Sequence, residues 1–244
     1  MSLAFCLYKP TFLLLIIPML LLSRRNRILS GFMFGAVLLA GISFISIGKQ
    51  SSLDYLNILS GASMKSLGAE VFFRTFKYTD IFSFFRLLFA DFKLFYWASI
   101  IVTMLASIPL LIQLWWRTNN FDQSRRDLVF ACTLTWTTVF NVHFGIYDTV
   151  IAVLALLLTA NVLYQSSGKP GAALSQGFRT GVILLYITPW ISQKMAMVSK
   201  IQLFTLVLAA VGAYQLFLAR RNSVGFPSPP LKTVVGEGAA RERT

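Results

Sequence analysis

His143, Tyr147 and Asp148 fall within the run 141–148, Asn-Val-His-Phe-Gly-Ile-Tyr-Asp, between two strongly apolar segments. An imidazole, a phenol and a carboxylate this close together suit acid–base or hydrogen-bonding chemistry. His143 would bind a ligand or shuttle a proton, and Tyr147 would donate a hydrogen bond. Ionisable groups are expensive at membrane depth and mark a site, a pathway or a helix end. A plain structural role competes with this reading: Asn141 ends one helix, Gly145 supplies a positive φ, and the Asp148 carboxylate caps the next helix. In helical register His143 and Tyr147 share a face while Asp148 points elsewhere. Lys9, followed by Pro10, is the second candidate. Its ammonium is a point-charge partner for phosphate, and its alternative role is to snorkel to the headgroups. A hydrolytic triad and a structural zinc site are not expected, because the sole histidine lacks a supported nucleophile and the only two cysteines, Cys6 and Cys132, lie far apart in apolar segments.

The elements that must position these residues are membrane helices. Of 244 residues, 56% are hydrophobic and only 13% charged, with 22 phenylalanines and a mean hydropathy of +0.69. That composition predicts an all-α, polytopic integral membrane bundle rather than a soluble domain. A net charge of +13 is of the kind that nucleic-acid-binding chains carry. The basic residues instead cluster at the ends of apolar runs, so membrane lipids are the expected partner and nucleic acid is not. The first basic cluster, Arg24-Arg25-Asn26-Arg27, follows its apolar run, which is the reverse of a signal peptide.

Seven apolar segments are legible, over 3–22, 28–47, 95–116, 128–140, 148–164, 180–191 and 201–219. A spanning helix needs about 20 residues, so the fourth and the Pro189-containing sixth segment are short. Such segments survive in lipid when other protein covers them or when they line a cavity, which argues for a compact bundle. One set of short connections collects Arg24, Arg25, Arg27, Arg117, Arg125, Arg126, Lys169, Arg179, Arg220 and Arg221. The opposite side carries Lys194, Lys200 and a 47-residue loop, 48–94, with six basic residues diluted by acidic ones. Charge density makes the first side cytoplasmic, with the N-terminus outside and the C-terminus inside. A transmembrane domain thus spans 1–219 and a Pro- and Gly-rich disordered cytoplasmic tail 220–244. Within the long loop, Ser51-Ser52-Leu53-Asp54 opens a short helix, and Asp80, Ser83, Arg86 and Lys93 recur at helical spacing among phenylalanines, as in an interfacial helix.

Three stretches resemble one family. They are Leu7-Tyr8-Lys9-Pro10-Thr11-Phe12 with its apolar run and Arg24-Arg25, then Leu29-Ser30-Gly31-Phe32 with Ser51-Ser52-Leu53-Asp54-Tyr55-Leu56, and His143 with Tyr147-Asp148 leading into Val150–Leu154. In order and spacing they resemble the bacterial family 87 glycosyltransferases, polytopic enzymes of the C-type glycosyltransferase fold, over about 220 of the 244 residues. The resemblance implies transfer of a sugar, often mannose, from a polyprenyl-phosphate donor to a glycolipid or glycan acceptor on the outer face of the bacterial plasma membrane. No cofactor or metal is implied, since the lipid-linked sugar is itself the substrate. It places Lys9 at the donor phosphate and His143 and Tyr147, with Asp148, near the transfer site. The catalytic acid of such enzymes lies in an early outer loop of an N-terminal half that has no counterpart here. The chain therefore matches the C-terminal half, and a second chain supplying the other half is an expected partner. A non-catalytic transporter, lipid-phosphate-binding protein or scaffold is the alternative.

Overall fold

The computed structural model describes residues 2–59, 75–142, 145–166 and 176–221. Among them the architecture is a helical membrane bundle without strands. The helices are α1 (Ile16–Leu22), α2 (Asn26–Ile47), α3 (Lys49–Leu59), α4 (Ile81–Leu88), α5 (Lys93–Arg117), α6 (Gln123–Val139), α7 (Val150–Ser166), α8 (Gln176–Ser199) and α9 (Leu203–Arg221). Four of them, α2, α5 (with the turn that follows it), α8 and α9, are long and apolar enough to cross a bilayer. Every apolar segment coincides with helical structure, and several helices outrun their segments. For example, α6 starts with a polar turn at Gln123, and α8 continues past Pro189 to Ser199.

The first segment departs from expectation. Residues 3–22 are not one spanning helix but two 3-10 stretches, Ser2–Tyr8 and Pro10–Leu13, followed by α1. Lys9 breaks the helix with φ −139° and ψ 84°, and Pro10 begins the next turn. Leu3 lines the same small cavity as Ile16, Met19, Leu20 and Ile28, so the chain has doubled back between residues 3 and 16. A straight helix would hold those residues roughly 20 Å apart. The segment thus runs to Lys9 and returns, instead of forming the single spanning helix the sequence suggested. Arg24, at φ 51°, ends α1, and Gly48, at φ 84°, turns α2 into α3.

At the centre stands α6, which packs on α7 and α9 while α9 packs on α8. Leu128, Val129 and all residues from Ala131 to Asn141 are buried. Four of these are threonines, and each hydroxyl donates to a carbonyl one turn back: Thr133 to Val129 (2.8 Å), Thr135 to Ala131 (3.2 Å), Thr137 to Thr133 (2.7 Å) and Thr138 to Thr135 (2.6 Å). Between helices, Trp115 Nε1 donates to Thr133 Oγ1 at 2.8 Å and Gln215 Nε2 to Thr159 Oγ1 at 2.9 Å. The arginine-rich end is tied similarly, with Arg125 donating to the Ala219 carbonyl (3.2 Å) at the end of α9 and Ser124 donating to Gln165 (2.8 Å).

The contact between α6 and α9 depends on Gly212. A Cβ there would lie 3.0 Å from Trp136 Nε1 and 3.3 Å from Thr135 Cγ2. Gly212→Ala is therefore expected to cost ~1–3 kcal/mol by overpacking, read as a lower unfolding midpoint in detergent. An unchanged midpoint would show that the two helices yield freely.

Candidate functional site

The end of the bundle opposite the arginines holds Lys9 and Asp148, two of the residues singled out from the sequence. Lys9, at the bend of the doubled-back segment, directs its ammonium to the Asp148 carboxylate, and the two form an ion pair across 139 residues of chain. Their side chains are 25% and 22% exposed, so the pair is neither solvated nor sealed. The Phe12 ring lies 5.5 Å from Lys9 Nζ and adds a cation–π contact.

Asp148 lies in a 3-10 turn, Ile146–Thr149, that leads into α7. Its Oδ2 accepts the Gly145 N–H at 3.1 Å, so the carboxylate does cap, reaching back from the third residue of the turn that runs directly into α7. Gly145 has φ −69°, an ordinary value, and the expected positive φ is corrected accordingly. Asn141 does stand just past the end of α6. It is fully buried, its Oδ1 accepts the Val142 N–H at 2.8 Å, and its Nδ2 has no hydrogen-bond partner among the described residues. His143 and the side chain of Tyr147 lie outside the described residues, as does the tail from 222 onward.

A short extended stretch straps this end together. Tyr78 forms an isolated antiparallel bridge with Gly145. Gln202 Nε2 donates to the Phe76 carbonyl at 3.2 Å and to that of Tyr78, while Thr205 Oγ1 donates to the Thr79 carbonyl at 2.9 Å. Ser192 Oγ donates to Gln202 Oε1 at 3.0 Å and accepts the Phe204 N–H at 3.1 Å. Next along the chain, the fully buried Asp80 caps α4, its Oδ1 accepting the Ser83 N–H at 2.7 Å and its Oδ2 the Ser83 hydroxyl at 3.1 Å. The helical spacing read from Asp80 through Lys93 is split here, because the chain leaves the helix at Phe89 and restarts at Lys93.

Sequence reasoning picked out Lys9 and Asp148 separately and missed their pairing. It also missed the Ser192–Gln202–Thr205 clamp, whose only signal was a pair of polar residues beginning an apolar segment. Chemically the arrangement offers an ammonium held in place by a carboxylate. No protein-family model, curated protein or solved structure matches the chain. The class established by the fold is thus an all-helical integral membrane protein.

The ion pair predicts a coupled energetic effect. Lys9→Met and Asp148→Asn should each lower stability by about 1–3 kcal/mol, between the values for exposed and buried pairs. The double variant should lose clearly less than their sum, since neither charge is left alone. Strict additivity in a denaturant titration of the detergent-solubilised chain would show that the two groups do not interact.

Proposed function

We propose that the chain is the lipid-donor-holding part of a membrane glycosyltransferase that uses a polyprenyl-phosphate-linked hexose, mannose being the expected sugar. The observation that supports this reading is the meeting of Lys9 and Asp148 at one end of the bundle, because both belong to the stretches that resemble family 87 enzymes. Under the positive-inside rule the arginine end is cytoplasmic, which puts the ion pair on the outer side of a bacterial plasma membrane.

In this reading an acceptor hydroxyl attacks the anomeric carbon with inversion as the bond to the polyprenyl phosphate breaks. Lys9 stabilises the departing phosphate, a role in which a charge-assisted hydrogen bond counts most as charge develops. Asp148 positions the ammonium, since its carboxylate already serves both Lys9 and the Gly145 N–H. His143 and Tyr147 are assigned to the same wall by resemblance alone. The general base that activates the acceptor is assigned to a partner chain carrying the other half of the enzyme. The broad apolar surface of α2, with Phe34, Val37 and Ile45 more than 60% exposed, is available to lipid or to such a partner.

The second reading is a non-catalytic lipid-phosphate-binding or scaffold protein. It is favoured by the same double engagement of Asp148, which suits a fixed structural link.

Two measurements test the assignment. Purified chain should bind a polyprenyl phosphate, and Lys9→Gln should weaken that binding about ten-fold, the loss of one charged hydrogen bond. Equal affinity of the variant would remove Lys9 from the site. Washed membranes containing this chain alone should transfer no sugar from a polyprenyl-phosphate donor, and measurable transfer would overturn the division of labour between two chains.

A further inference from the structure

We propose that the cavity between the end of α4 and the start of α5 binds the phosphate of an anionic membrane lipid. This cavity, of about 320 Å³, is lined by Arg86, Phe89, Ala90, Lys93, Tyr96 and Trp97. Arg86 lies in the last turn of α4 and Lys93 opens α5, so two cations from different helices face one space. Asp91 is in the connecting turn but does not line the cavity. The 25-residue α5 begins here at Phe92 with no side-chain cap, so its positive dipole end is left for an anion.

The aromatic surroundings select a lipid over a free anion. Tyr96 and Trp97 pack edge to face with centroids 4.9 Å apart, the amphipathic pair expected at headgroup level. Beside them Phe92, Leu94, Phe95 and Trp97 are 61, 79, 57 and 56% exposed, an apolar rim that only acyl chains would cover favourably in a membrane. Phosphate thus meets two cations and a helix start, while the attached chains lie along the exposed face of α5. The site is independent of Lys9 and does not rest on the transferase reading.

The test is titration of the purified full chain, in uncharged detergent, with short-chain phosphatidylglycerol, phosphatidylcholine and inorganic phosphate. Phosphatidylglycerol should bind best, and Arg86→Gln and Lys93→Gln should each weaken it about five-fold, the effect of one basic residue at an anionic surface. Lys93→Arg should retain binding, which separates loss of charge from misfolding if Arg86→Gln aggregates. A control removing two exposed charges elsewhere, Lys49→Gln with Lys194→Gln, should leave the affinity unchanged. Undiminished phosphatidylglycerol binding by Lys93→Gln would overturn the site. Inorganic phosphate binding as tightly as the lipid would overturn the lipid assignment.

Discussion

A hydroxyl or indole N–H surrounded by hydrocarbon can donate only to the protein itself, and this constraint shapes the middle of the bundle. In α6 four threonine hydroxyls turn inward onto the helix's own carbonyls, so a helix of modest apolarity presents methyl groups to its neighbours. That allows α7 and α9 to close on it directly. The Trp115–Thr133 hydrogen bond follows from the same need, whereas Trp136 packs on Gly212 with its buried Nε1 lacking a partner among the described residues. In α5 the same device recurs at Thr103 and Ser107, whose hydroxyls donate to the carbonyls of Ser99 and Thr103, while the exposed faces of α5 and α2 remain apolar.

With α6 fixed, the turn from Asn141 to Asp148 is carried to one end of the bundle, where the backbone cannot be satisfied by helix alone. The structure meets that need with side chains from distant elements. Gln202 and Thr205 bond the carbonyls of residues 76, 78 and 79, and the Asp148 carboxylate serves both a backbone N–H and Lys9. The polar layer is therefore the lock on this end, and it is where Lys9 and Asp148 meet.

The helical class and the position of every apolar segment were legible from composition and hydropathy, because burial in lipid demands long apolar runs. Helix ends were less legible. The first turn of α6 and the last turns of α8 are polar, and a hydropathy reading stops where the charge begins. The reversal at Lys9 was hidden for a different reason: residues 3–22 are long and apolar enough to span, and Lys9-Pro10 resembles a helix start as much as a break. The Lys9–Asp148 pair could not be read at all, since nothing local links residues 139 apart. The break between Phe89 and Lys93 was masked by phenylalanines that keep helical spacing on both sides of it.

The doubled-back first segment also bears on how the chain assembles. A stretch that reverses at its middle does not present the uninterrupted apolar helix that partitions into a bilayer by itself. Its bend is secured by a carboxylate that is synthesised 139 residues later, after α6 has been completed. Residues 2–22 pack locally on α2, but the bend at Lys9 gains its ion-pair partner only when a very long loop closes, a slow step in topological terms. The bend at Lys9 is thus made before its partner and locked only after it.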